Sequence, residues 1–367
     1  MGTSPSQQRA RSAAPTVGTG SSSLVHEVEE MVMAVCLWPE RLNSVEEIWI
    51  SADKYEVKAF AANGRGQARH LQRWQHGAKH GRCAVNAMTL VDNGSLLVTS
   101  GRHPDIHVWE TKHISKGTGD GSDSPPLGMC ALEGGHDLSA VALAAPSGQF
   151  GNLQDLVSGA RDTVLLHWDI SRNHVVSTNR RSRNVINHLC WNPADAHQFA
   201  QTAEDKALKL WDTRSFKVTT QFPEQAHITS HCDMHSNGHS IACTLLSEPR
   251  SGLPQVLIWD SRKPDQPMFT FRSFTSARHK SIFCPGSDRT NNWVVSIGDN
   301  NISLWDYTQA DSDARKMEPV TTHVSGRPYC MAWSPRTMSL MCGGCQGGLV
   351  KLAYNESEKD FKLIGNV

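Results

Sequence analysis

The sequence predicts an all-β fold, a seven-bladed propeller, on two observations. An apolar β-type segment ends in Trp followed by an acid five times, at Trp109, Trp168, Trp211, Trp259 and Trp305, with intervals of 59, 43, 48 and 46 residues. A supersecondary unit recurring at 40–50 residues is the mark of a radial repeat, in which no unit buries its apolar face alone. Two weaker copies flank the five. EIWISADKYEVKAF ends at Phe60, and LMCGGCQGGLVKLAY ends at Tyr354. In both an aromatic ring takes the place of Trp, so the same position still receives a large apolar group. Seven anchors, Phe60, Trp109, Trp168, Trp211, Trp259, Trp305 and Tyr354, fit seven blades of four strands each.

The third unit carries the fullest motif: Gly135-His136, then Ser158-Gly159-Ala160-Arg161-Asp162, then Trp168-Asp169. On these residues the chain resembles the WD40-repeat family. The resemblance implies that His136, Ser158, Asp162 and Trp168 form a hydrogen-bonded chain linking the strands of one blade. The chemistry suits that role: Asp turns a tight hairpin, and His and Ser satisfy it inside an apolar sheet stack. An Asp six residues before the Trp recurs at Asp205 and Asp299. His103, Leu253, Lys54 and Gly348 hold that place elsewhere, and those blades are expected to rely on packing alone.

The repeats divide the chain into a tail, 1–23, and a propeller, 24–367. The tail is Ser, Gly, Pro, Ala, Thr and Gln with Arg9 and Arg11, a composition that cannot bury a core. Leu24–Met33 alternates enough to be a strand that closes the ring on the last blade, and Phe361–Ile364 competes for the same place. Closure matters because an open ring leaves an unpaired edge. Ser115–Leu127 and Ser247–Pro254, rich in Gly, Ser and Pro, read as exposed insertions.

Composition narrows the function. Of 367 residues 38% are hydrophobic and 11 are Trp, enough for stacked sheets. Formal net charge is zero, which argues against electrostatically driven binding to nucleic acid. The densest basic cluster, Arg180-Arg181-Ser182-Arg183, reads as a solvated loop. No apolar run approaches 18 residues, and Met1–Ser23 lacks the core of a secretory signal. Ten scattered Cys, such as Cys36, Cys190 and Cys330 in apolar strands, suit free thiols in the cytoplasm. Cys342-Gly343-Gly344-Cys345 is a CxxC pair with no second pair or paired His at metal spacing, so neither metal nor cofactor is expected. No phosphate loop, nucleophile elbow or HExxH occurs, and the 18 His read as structural or surface residues, so no enzyme is expected. What remains is a monomeric propeller working within protein complexes, with binding carried by aromatic or Arg residues of the rim loops.

Two motifs sharpen this. Met1-Gly2-Thr3-Ser4-Pro5-Ser6 fits M-G-x-x-x-[ST], in which the acyl chain joins the free α-amine of Gly2. A single myristoyl chain binds membranes with K of only about 10⁴ M⁻¹, so a reversible peripheral tether is expected. Asp-x-Arg follows Trp in two successive units, ending at Arg214 and Arg262. In substrate receptors of cullin-4 ubiquitin ligases such Arg residues contact the ligase adaptor, and the plainer reading is a local Asp–Arg turn. A closer resemblance lies in Ser182–Trp191 and Thr202–Arg214, continuing through Phe222-Pro223, His227-Ile228, Asp233 and the LIWDSR of unit five. These stretches resemble the WD repeat domain 31 family, which also begins with a Met-Gly myristoylation-type sequence. That resemblance implies an adaptor of the cilium or ciliary base, acting on intraflagellar transport and BBSome traffic.

Overall fold

The computed structural model describes residues 31–41, 46–63, 67–76, 83–114, 130–146, 150, 154–246, 255–272, 278–286, 290–299, 301–307, 320–323, 327–344, 348–355 and 360–366. These form seven four-stranded antiparallel sheets, each a meander of consecutive strands. They span residues 34–75, 85–132, 140–179, 186–221, 229–271, 278–323 and 328–366, blades 1 to 7. The first strand of each blade touches the first strands of both neighbours all the way round, so the ring is closed.

Sheet faces explain why the ring holds. Among the described residues the buried apolar side chains gather into seven clusters, one in each gap between neighbouring blades. Each sheet is apolar on both faces, as a layer stacked between two others must be. The anchor of the third strand always enters the gap with the preceding blade: Trp109 joins the core shared with blade 1, Trp168 that with blade 2, Trp305 that with blade 5. Phe60 does the same across the seam with blade 7.

Register corrects one anchor. In blades 1 to 6 the anchor stands three residues after the first paired residue of its strand, as Trp168 follows Leu165 and Phe60 follows Val57. In blade 7 that place belongs to Leu352, three residues after Leu349. The irregularity between third and fourth strands, which immediately precedes the anchor at His167/Trp168 and Leu210/Trp211, likewise falls at Lys351/Leu352. Tyr354 lies two residues further along the same face, half-buried, its ring 4.4 Å from that of Trp293.

The C-terminal segment, including Phe361–Ile364, supplies the fourth strand of blade 7, Asp360–Asn366. Of Leu24–Met33 only the last three residues are described. The Val32 N–H donates to the Gly344 carbonyl at 3.2 Å, and its side chain packs where a Cβ on Gly343 would clash. Polar contacts reinforce this seam, where no linker joins the blades. Lys351, fully buried, donates to the Asn63 carbonyl at 3.1 Å and sits 3.7 Å from the Glu47 carboxylate. Glu47 accepts in turn from the hydroxyls of Ser334 and Thr337. A buried pair with its remaining valences filled is costly to break from one side. The 1–23 tail with Gly2, both expected insertions and Cys345 lie outside the described residues.

Candidate interaction site in the central channel

The inner strands of all seven blades surround a cavity of about 670 Å³. Its wall is chemically divided. Blades 1 to 3 supply Ala34, Val35, Ala87, Met88, Val141, Ala142 and Leu143 beside one amide, Asn86. Blades 4 to 7 supply the ionisable His188, His231 and Lys280 with Tyr329, among apolar Val185, Ile282 and Met331, and Arg161 of blade 3, Glu204 and Leu246 also lie on the lining.

The polar side is built by three neighbouring inner strands, Ile186–Trp191, Thr229–Met234 and Arg278–Phe283. Adjacent strands bring equivalent positions together, and the His188 and His231 rings stack with centroids 3.8 Å apart. Burial, then the nearby Lys280 charge, pushes His188 down to about 3. Burial also drives His231 well below its ordinary value, helped by His188 and Lys280. Both rings are therefore neutral at physiological pH. Lys280 reaches over the Tyr329 ring, Nζ 5.2 Å from its centroid, and burial lowers its pKa as well.

Below this group Asp233 joins three blades. It accepts from the Phe283 N–H of blade 6 at 2.7 Å and from the Cys190 thiol of blade 4 at 3.5 Å. Burial raises its carboxyl to about 6 against the pull of the Phe283 hydrogen bond. Cys190, Cys232 and Cys243 are all shifted upward by burial and stay as thiols. Among the described residues no group of three His, Cys, Asp or Glu is placed to hold a metal ion, and no helix is long and apolar enough to cross a membrane.

The His136, Ser158, Asp162 and Trp168 chain lies away from the channel lining. His136 Nδ1 is 3.1 Å from Asp162 Oδ2, His136 Nε2 is 2.7 Å from Ser158 Oγ, and the Trp168 indole donates to Ser158 Oγ at 2.8 Å. Asp162 also accepts from the Asp137 and Val164 N–H groups, which fixes the hairpin. Gly135 is required because a Cβ there would meet the Trp168 ring at 2.3 Å.

The other blades do not divide as an Asp six residues before the anchor suggests. Blade 2 has His103 at that place, yet the Trp109 indole donates to Thr99 at 2.8 Å. Blade 6 repeats the bond from Trp305 to Ser296 at 2.9 Å. Blade 4 has Asp205 but leaves the Trp211 indole without a partner among the described residues, as blade 5 leaves Trp259. What decides is the second-strand residue two past the anchor's pairing partner. It is Ser158 or Thr99 where the bond forms, and Gln201 or Cys243 where it does not. Blade 1 has its turn carboxylate one residue early: Asp53, not Lys54, accepts from the Tyr55 and Glu56 N–H groups.

Arg214 and Arg262 hold the same place on blades 4 and 5. Each folds back on its own Asp, Arg214 at 2.6 Å from Asp212 and Arg262 at 2.7 Å from Asp260, with about two-thirds of the side chain exposed. The guanidinium bonds hold both carboxyls at about 2.

Repeat period, seven closed blades and the His–Ser–Asp–Trp chain of blade 3 make this a seven-bladed β-propeller whose units resemble WD40 repeats. No family model matches the chain. It is 24% identical over 184 residues to the GATOR2 complex protein WDR24 of Homo sapiens, covering 48% of this chain and 22% of that protein. It is 31% identical over 97 residues to the CCR4-associated factor 4 homolog of Candida glabrata, covering 26% and 15%. The nuclear distribution protein PAC1 of Komagataella phaffii is 26% identical over 103 residues, covering 25% and 21%. The chain thus spans less than a quarter of the length of these relatives.

Proposed function

We propose that this chain is a non-catalytic adaptor that binds protein partners through its channel mouth. The observation that carries the reading is the composition of that mouth. Leu246 and Tyr329 are 46% and 36% exposed beside Arg161 and Glu204, an apolar and aromatic centre with charges around it. Such centres form binding hot spots, whereas the Trp anchors are interior and unavailable. Similarity to a protein named for the GATOR2 complex supports membership of a multi-subunit assembly.

The finer reading is an adaptor of ciliary traffic, tethered reversibly through acylated Gly2. It rests on the resemblance of Ser182–Trp191 and Thr202–Arg214, three strands of blade 4, to the WD repeat domain 31 family. The test is a C-terminally tagged chain, wild type against Gly2→Ala, with location and proximity-labelled neighbours recorded. Enrichment at the ciliary base that is lost in the variant is the expected result. A uniform cytosolic signal in both sinks the ciliary reading, and an unmodified or acetylated Gly2 by mass spectrometry sinks the tether. A second reading, a substrate receptor of a cullin-4 ligase, is favoured by the equivalent exposed placement of Arg214 and Arg262 on adjacent blades. Cullin-4 components among the neighbours, lost when both are changed to Ala, would replace the first reading with the second.

A further inference from the structure

The division of the channel wall has a consequence for what enters it. Lys280 is a cation on the polar side of the lining, and among the described residues no carboxylate pairs with it. Its ammonium lies over the Tyr329 ring. A partly buried ammonium held over an aromatic face, without an anion, keeps unspent capacity for one. Beside it His231 is 6% exposed and lines the same cavity.

We propose that the channel receives one carboxylate, the side chain of an Asp or Glu on an extended partner segment, with Lys280 as its counter-ion. This rests on the reading of the channel mouth as the partner-binding face and names the chemistry recognised there. The carboxylate accepts from the Lys280 ammonium. Charge selects a carboxylate over a phosphate ester. The stacked imidazoles are neutral and Glu204 offsets Arg161 on the lining, so the net charge there is the single positive one of Lys280. The apolar wall of Ala87, Met88, Val141 and Leu143 accommodates the methylenes that carry the acid. Leu246 and Tyr329 meet the flanking residues.

Binding is read from the imidazole resonances of His188 and His231, which stack on each other and face the cavity. The probes are acetyl-Gly-Glu-Gly-amide, its Gln analogue and inorganic phosphate, each titrated into the full chain at pH 7.5. Saturable shifts with the Glu peptide, at least ten-fold weaker with the Gln peptide and with phosphate, are expected. Lys280→Met should abolish them, Lys280→Arg should retain them, and an unchanged thermal transition shows that each variant is folded. Should Lys280→Met unfold the chain, Tyr329→Leu, expected to weaken binding several-fold, makes the same test. Equal response to the Glu and Gln peptides, or tighter binding of phosphate, overturns the assignment. If proximity-labelled neighbours are unchanged in folded Lys280→Met, the carboxylate site falls while the adaptor reading stands. Loss of all specific neighbours from the wild type removes the adaptor reading itself.

Discussion

In blade 3 the anchor indole ends a chain of four hydrogen-bonded side chains, whereas in blade 4 the same strand position holds an indole with no partner among the described residues. The two sheets share strand order, register and turn, with Thr163 and Lys206 both in the left-handed region of the hairpin. They differ in what surrounds the ring. Trp168 pairs across strands with Leu156, and its nearest aromatic is the hydrogen-bonded His136. Trp211 pairs with Phe199, and their rings lie 6.0 Å apart and 5° from parallel, with Phe216 at 5.8 Å. The constant task of the anchor is thus to fill the gap with the preceding blade. The polar chain is an addition that a blade can exchange for aromatic packing, worth about 0.5–1.5 kcal/mol per aromatic pair.

The largest effect is expected from the turn carboxylates. Asp162→Ala leaves His136 Nδ1 and the Asp137 and Val164 N–H groups without their acceptor in a site only 6% exposed at the carboxylate. The cost should be about 2–3 kcal/mol. Asp205→Ala removes a bond to the Ala207 N–H and a partly exposed pair with Lys209, and should cost about 1 kcal/mol. Native-state hydrogen exchange of the two hairpins measures both, and equal losses would show that the chain in blade 3 contributes nothing beyond its turn. Next in size are Trp168→Phe and Trp211→Phe. Both remove volume from a packed gap, at about 1–3 kcal/mol. Only the first also removes a hydrogen bond, so it should cost about 1 kcal/mol more. A larger loss at Trp211 would mean that aromatic stacking outweighs the polar chain.

The fold was legible because its signal repeats: seven copies at one period reveal what no single copy does. Tyr354 shows the limit of that reading. An aromatic ring was given more weight than spacing, although counting three residues from the hairpin selects Leu352. The channel was not legible for a different reason. Its lining comes from seven inner strands far apart in sequence, and His188, His231 and Lys280 meet only when the ring closes. A signal did exist, since His188, Asp233 and Lys280 are polar residues inside short β-type runs where a blade core calls for apolar ones. Nor could the sequence say which indoles are satisfied, because that depends on a second-strand position defined by register.

That position offers the smallest and sharpest test of the comparison. Gln201 is buried, its Oε1 lacks a partner, and it stands where Ser158 stands in blade 3. Gln201→Ser removes the unsatisfied carbonyl and presents a hydroxyl to the Trp211 indole. The gain of one hydrogen bond, about 1 kcal/mol, is offset by the space that the longer side chain leaves, so stability should change by less than about 1 kcal/mol. The indole N–H resonance of Trp211 reports the bond directly. It should move downfield toward those of Trp109, Trp168 and Trp305, which already donate to a hydroxyl. If it stays with Trp259, whose indole has no partner among the described residues, the aromatic packing of Phe199 and Phe216 sets the ring's position. The residue at the serine position would then follow that choice and not cause it.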